Sequence, residues 1–97
     1  MKNLRFEWDP KKNANNHRKH GVSFEDAKTA FSDEFGRIID DPDHSDDEAR
    51  FVLLGISASL RLLVVCHCYR AGGDIIRIIS ARRADKLESA QYRGGRS

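Results

Sequence analysis

Leu4, Phe6 and Trp8 alternate with Arg5 and Glu7, the two-residue period of a short, half-buried strand. Asp9-Pro10 ends that strand and predicts a helix start, because the carboxylate can cap orphan amides and proline in the first turn gives up no needed donor. Gly21 supplies the stop. The helix between them, from Lys11 to His20, has almost no apolar stripe and so belongs on a surface or against polar partners. Ser23 is the expected N-cap of a second helix running to about Phe31, with Asp26 at the third helical position and Phe24, Ala27, Ala30 and Phe31 as its buried stripe. Beyond it the period shortens, and residues 35–39, 50–56, 62–69 and 75–80 read as four strands. An acidic loop from Asp40 to Asp47, turned by Pro42, separates the first two of these. The short linkers Ser57-Ala58-Ser59 and Ala71-Gly72-Gly73 imply an antiparallel meander. Residues 82 to about 92 predict a closing helix, and residues 94–97 a frayed tail. The order is strand, two helices, four strands and helix, hence an α+β fold with helices gathered on a mainly antiparallel sheet.

Length and charge narrow the picture. A chain of 97 residues has room for a single domain, spanning residues 1–97, and one modest core. The net charge of +2 hides an uneven distribution, with seven basic and four acidic groups in residues 1–32, one and eight in residues 33–48, and nine and three in residues 49–97. Basic ends around an acidic belt suit a nucleic-acid binder as well as a solvated surface, so charge alone does not decide. Cys66 and Cys68 lie two apart in an apolar run, where a strand points both to one face, and read as small buried hydrophobes of a reducing compartment. With no apolar run long enough for a membrane span, and no signal-peptide core after Met1, the expectation is a soluble cytoplasmic protein without membrane contact.

Three runs carry a family likeness: Phe6-Glu7-Trp8-Asp9-Pro10-Lys11-Lys12 with Asn16-His17-Arg18-Lys19-His20-Gly21-Val22-Ser23-Phe24-Glu25-Asp26-Ala27, then Asp40-Asp41-Pro42-Asp43-His44-Ser45, then Arg77-Ile78-Ile79-Ser80-Ala81-Arg82. In this order they resemble the BrnT family, the toxin half of a bacterial type II toxin–antitoxin pair. The resemblance implies a RelE-like arrangement of the fold and a metal-independent endoribonuclease that blocks translation. It further implies neutralisation by a BrnA-like antitoxin carrying a DNA-binding region, so that DNA is reached only through that partner. No cofactor is expected. The rival reading from another class is a non-catalytic module holding RNA, DNA or protein on its basic surfaces.

Metal-free RNA cleavage needs a base for the 2′-hydroxyl proton, an acid for the leaving oxygen and cations for the charged transition state. A three-residue hairpin loop at Ala71-Gly72-Gly73 would pair Arg70 with Asp74 and set His67 beside Arg77. Strand parity then groups Arg61, Leu63, Val65, His67 and Tyr69 on a wetter face with Arg77, leaving Leu62, Val64, Cys66, Cys68, Ile76 and Ile78 on a drier one. His67, Arg77, Arg50 and Arg82 are the candidates around the scissile phosphate, with Glu48 and Tyr69 as further catalytic candidates. Against this, His67 could be satisfied by a carbonyl, Arg77 by a carboxylate such as Glu48, and Arg82 by Asp85 or Glu88. Arg61, His17 and His20 are RNA-binding candidates. Asn13, His17 and His20 share a helical stripe but lack a carboxylate or cysteine at matching spacing, so no metal is expected. Tyr92 reads as an anchor for the last helix, His44 as a loop residue, and the acidic loop as a surface for a basic antitoxin segment.

Overall fold

A computed structural model describes residues 4–40 and 50–94. In chain order the elements are strand β1 (Arg5–Glu7), helix α1 (Pro10–His20), helix α2 (Phe24–Thr29), a 3₁₀ turn (Ala30–Ser32), strands β2 (Arg37–Asp40), β3 (Phe51–Ile56), β4 (Leu62–Arg70) and β5 (Ile75–Arg83), and helix α3 (Lys86–Gly94). The predicted order is the observed one.

The caps explain the helix ends. The Asp9 carboxylate accepts the Lys11 amide at 2.9 Å, Pro10 opens α1, and Gly21 closes it at φ 72° with its amide donating to the His17 carbonyl. Ser23 Oγ accepts the Asp26 amide at 3.0 Å to start α2. That helix is shorter than its apolar stripe suggested, tightening at Ala30 into the 3₁₀ turn. A reciprocal capping box starts α3, in which Asp85 accepts the Glu88 amide and Glu88 the Asp85 amide, both at 2.8 Å. Residues 82 and 83 are therefore strand and not helix, a correction to the predicted boundary.

The sheet order is β1-β5-β4-β3-β2, antiparallel except for the parallel β1–β5 pair. One face, covered by α1, α2 and the 3₁₀ turn, holds the main core of Leu53, Leu63, Val65, Ile78 and Ala81 against Val22, Phe24, Ala27 and Ala30. Each large side chain fully buried there contributes about 1.5–3 kcal/mol. The 3₁₀ turn approaches β3 so closely that a Cβ on Gly55 would sit 2.9 Å from the Ala30 carbonyl oxygen. On the opposite face Leu54, Val64 and Tyr92 form a smaller cluster that docks α3. The Tyr92 hydroxyl donates to Asp33 at 2.6 Å, and Asp33 also accepts the Ile56 amide at 2.8 Å. Tyr92 is thus the anchor its position predicted.

The hairpin register overturns one expectation. Ala71, Gly72 and Gly73 all take positive φ, Asp74 joins the turn by donating its amide to the Ala71 carbonyl, and the loop has four residues. Arg70 therefore pairs with Ile75, Cys68 with Arg77 and His67 with Ile78. Adding one residue to a hairpin loop moves every partner by one and flips its side chains to the other face. His67 and Arg77 are consequently on opposite faces. A bulge adds to the change: Cys66 pairs with Ser80 while His67 pairs with Ile78, leaving Ile79 extra.

Candidate active site on the arginine face

With that register, the face shared with α3 carries Arg82 opposite Val64, Ser80 opposite Cys66, and Arg77 between Cys68 on one side and Glu7 on the other. Arg50, Val52, Val64, Cys66, Ile79, Ser80 and Arg82 line a groove of about 260 Å³ here. Its charged lining residues are the two arginines, Arg50 and Arg82.

The arginines differ in how they are held. Arg82 makes a bidentate pair with Glu88, Nη1 to Oε1 at 2.8 Å and Nη2 to Oε2 at 2.7 Å, and the capping box fixes that carboxylate in turn. Hydrogen bonds from Arg82 hold the Glu88 carboxyl below its usual range although burial opposes this, and the same bonds raise Arg82. Arg77 lies nearer the hairpin and donates to Glu7 Oε2 at 3.0 Å, where Arg70 approaches at 3.4 Å. Arg50 has a buried Nε with no hydrogen-bond partner among the described residues. A buried donor left unmet costs about 1–3 kcal/mol, which an anion in the groove would relieve.

His67 is placed elsewhere. It is 0% exposed on the helix-covered face, and Phe31 packs edge-on to its ring at 4.8 Å. Its Nδ1 lies 3.1 Å from the Val65 carbonyl, which can only accept, so the proton is on Nδ1 and Nε2 accepts from the Tyr69 hydroxyl at 3.3 Å. Burial lowers the His67 pKa, outweighing the Val65 bond, and raises that of Tyr69. The face expected to be wetter is the dry one, because two helices cover it.

The remaining candidates scatter. Arg61 bonds Asp26 at 3.0 Å and the Gly21 carbonyl at 3.0 Å, tying the α1–α2 corner to the β3–β4 turn. Burial would raise the Asp26 carboxyl, but bonds from Ser59, Ser57 and Arg61 bring it below the usual range. His17 and His20 are exposed on α1, and His20 lines a separate depression between α1 and β5. Glu48 and His44, with the acidic run after Asp40, lie outside the described residues. Asn13 in the helical stripe is committed to α2, accepting the Phe24 amide at 2.8 Å and donating to Glu25 at 3.2 Å. No cluster of His, Cys, Asp or Glu among the described residues could hold a metal ion.

Sequence reasoning did not anticipate Cys66 and Ser80 in the groove, nor Glu7 as the partner of Arg77, whereas Glu88 was one of the two carboxylates expected for Arg82. Asp85-x-x-Glu88 is a capping-box spacing, the one local signal that could have fixed Glu88. A further depression, about 690 Å³ and lined by Leu4, Phe6, Phe35, Ile56 and polar neighbours, includes none of these arginines.

A model of the ribonuclease toxin BrnT of type II toxin–antitoxin systems matches residues 8–88. The chain belongs to the BrnT family. As a member it is a ribonuclease toxin, which entails an RNA substrate and an antitoxin partner. The structure is similar to the 1.1 Å crystal structure of the Brucella abortus ribonuclease toxin BrnT, with TM-score 0.63 and 22% identity over 87% of this chain and 100% of that one. The BrnT likeness establishes the α+β fold with its mostly antiparallel five-stranded sheet. No curated protein sequence gives a significant match. No helix among the described residues is long and apolar enough to cross a membrane.

Proposed function

We propose that the groove between Arg50 and Arg82 holds the scissile phosphate of RNA, with Arg77 on the same face extending the positive field. The observation that carries this is the buried Nε of Arg50, without a hydrogen-bond partner among the described residues, in a groove shared with Arg82. Attack of the 2′-hydroxyl oxygen on phosphorus forms one P–O bond as the P–O5′ bond breaks, and the proton lost at O2′ is balanced by one gained at O5′. Charge accumulates on the non-bridging oxygens, and guanidinium donors fixed at that position stabilise it without reorganising. Each such donor is worth about a hundredfold to a thousandfold in rate. Glu88 is a positioning residue that holds the Arg82 plane against the sheet until phosphate competes for it. His67 is assigned to the core, and Tyr69, itself exposed, to holding the His67 ring through its hydroxyl. The chemistry needs no metal on this reading.

At the cellular level the cleavage stops translation, and a BrnA-like antitoxin neutralises the toxin and alone contacts DNA. Expression of the chain without a partner tests the reading. Growth arrest with cleaved RNA is expected, and Arg50→Ala and Arg82→Ala should each relieve it while the proteins stay folded. Intact RNA at high protein levels, or arrest by both variants equal to the parent, would overturn it.

A further inference from the structure

Pairing between β1 and β5 stops at Glu7 opposite Arg77, so the outer edge of β5 beyond that point has no strand beside it among the described residues. Helix α1 lies over this edge. The Asn16 carboxamide donates to the Ala81 carbonyl at 2.8 Å and accepts the Ala81 amide at 3.1 Å, taking the place of one residue of a missing strand. A second donor bond, to the Val22 carbonyl at 2.9 Å, fixes Asn16 to the end of its own helix.

The seam so formed is basic. A depression of about 240 Å³ runs along it, walled by Lys12, Lys19 and His20 on α1 and by Ile79 and Ser80 on β5. Ile79 and Ser80, at the bulge, are also walls of the arginine groove, so the two depressions share this stretch of β5. Lys12 and Lys19 are seven residues apart, on one side of the helix and about 10 Å apart along its axis. None of Lys12, Lys19 and His20 has a hydrogen-bond or ion-pair partner among the described residues. The only buried side chain of α1 is Asn16, so the helix offers no apolar anchor of the kind that protein interfaces centre on. An unpaired cationic row without apolar anchors suits a phosphate backbone.

We propose that the RNA strand leaves the arginine groove across the β5 bulge and runs onto α1, where Lys12, Lys19 and His20 hold phosphates flanking the scissile bond. This rests on the arginine groove being the phosphate site. Asn16, bonded to Ala81, keeps the helix in register with the bulged strand.

Binding of 2′-O-methyl oligonucleotides, which cannot be cleaved, tests the path by fluorescence anisotropy on the full chain. Two lengths are compared, about four and about twelve nucleotides, bracketing common single-strand site sizes. For Lys12→Gln/Lys19→Gln we expect about tenfold weaker binding of the long strand, a salt slope smaller by about 1.4, and no change for the short strand. Unchanged binding of the long strand overturns the path, as does an equal loss for both lengths. Weaker antitoxin binding with RNA binding intact would likewise overturn it, making α1 a protein surface. Arg50→Gln/Arg82→Gln reports on the groove separately: if the short strand binds this variant as well as the parent, the phosphate reading itself fails, whatever α1 does.

Discussion

The two faces of the sheet are built from the same strands, and residues adjacent in sequence meet opposite fates on them. On the helix-covered face, His67 loses all exposure, sits among Phe31, Phe51 and Tyr69, and spends both ring nitrogens on protein partners. One position along, Cys68 faces the other way, on the row of Arg77 and beside the groove of Arg50 and Arg82. Covering a strand face with helices turns even a titratable residue into packing, whereas a face left partly open retains its charges as chemistry. The difference teaches that the helix-covered face should govern stability and the arginine face activity.

The largest effect should come from the buried side. Phe24→Ala empties a fully buried ring site next to Trp8 and should cost about 3–5 kcal/mol. Against a total of about 5–15 kcal/mol for a domain, that is a large share. Urea denaturation measures it, and a loss under about 1 kcal/mol would break the division of labour from this side. Next comes Arg82→Ala, expected to cut RNA cleavage by about a hundredfold to a thousandfold with little change in the urea midpoint. A variant that unfolds instead would place Arg82 among the stabilising residues.

His67 sharpens the contrast through pH. Its folded pKa lies below the ordinary 6.5, so in the window beneath 6.5 the unfolded chain binds a proton that the native ring resists. The stabilising contribution of the neutral ring is complete above that value and is lost as pH falls toward the folded pKa. Melting temperatures of the parent should decline from pH 7 to about 5, and His67→Phe should flatten that decline while still cleaving RNA. Asp26 and Glu88, both held below the usual carboxylate range, lose their contributions only at more acid pH. If His67→Phe abolishes cleavage in a folded protein, the histidine acts in catalysis after all. The smallest effect belongs to Ser23→Ala, which removes the α2 cap for about 1 kcal/mol and should leave cleavage at parental rates.

Much of the fold was legible because its signals are local. Asp9-Pro10 and Gly21 bound α1, Ser23 starts α2, and alternation marks the strands, each through chemistry among residues a few positions apart. The family likeness, which the matching model bears out, was carried by the opening run with these capping residues, the Asp40–Ser45 run and the Arg77–Arg82 run. The site was less legible. Arg50 and Arg82 were named from sequence, yet their shared groove depends on a bulge at Ile79 and a loop one residue longer than assumed. Asn16 had no readable role, since its partner Ala81 is 65 positions away.

By itself, then, the sequence determined the order of helices and strands, the caps that bound α1 and start α2, and to which family the chain belongs. Those depend on caps, turns and periodicity that act at short range. Tertiary structure alone decided that β1 lies parallel to β5, that His67 is core, and that Arg77 faces away from it. The physical reason is the two-residue period of a strand: a single extra turn residue exchanges the faces, and only packing against the helices selects which face is sealed from water.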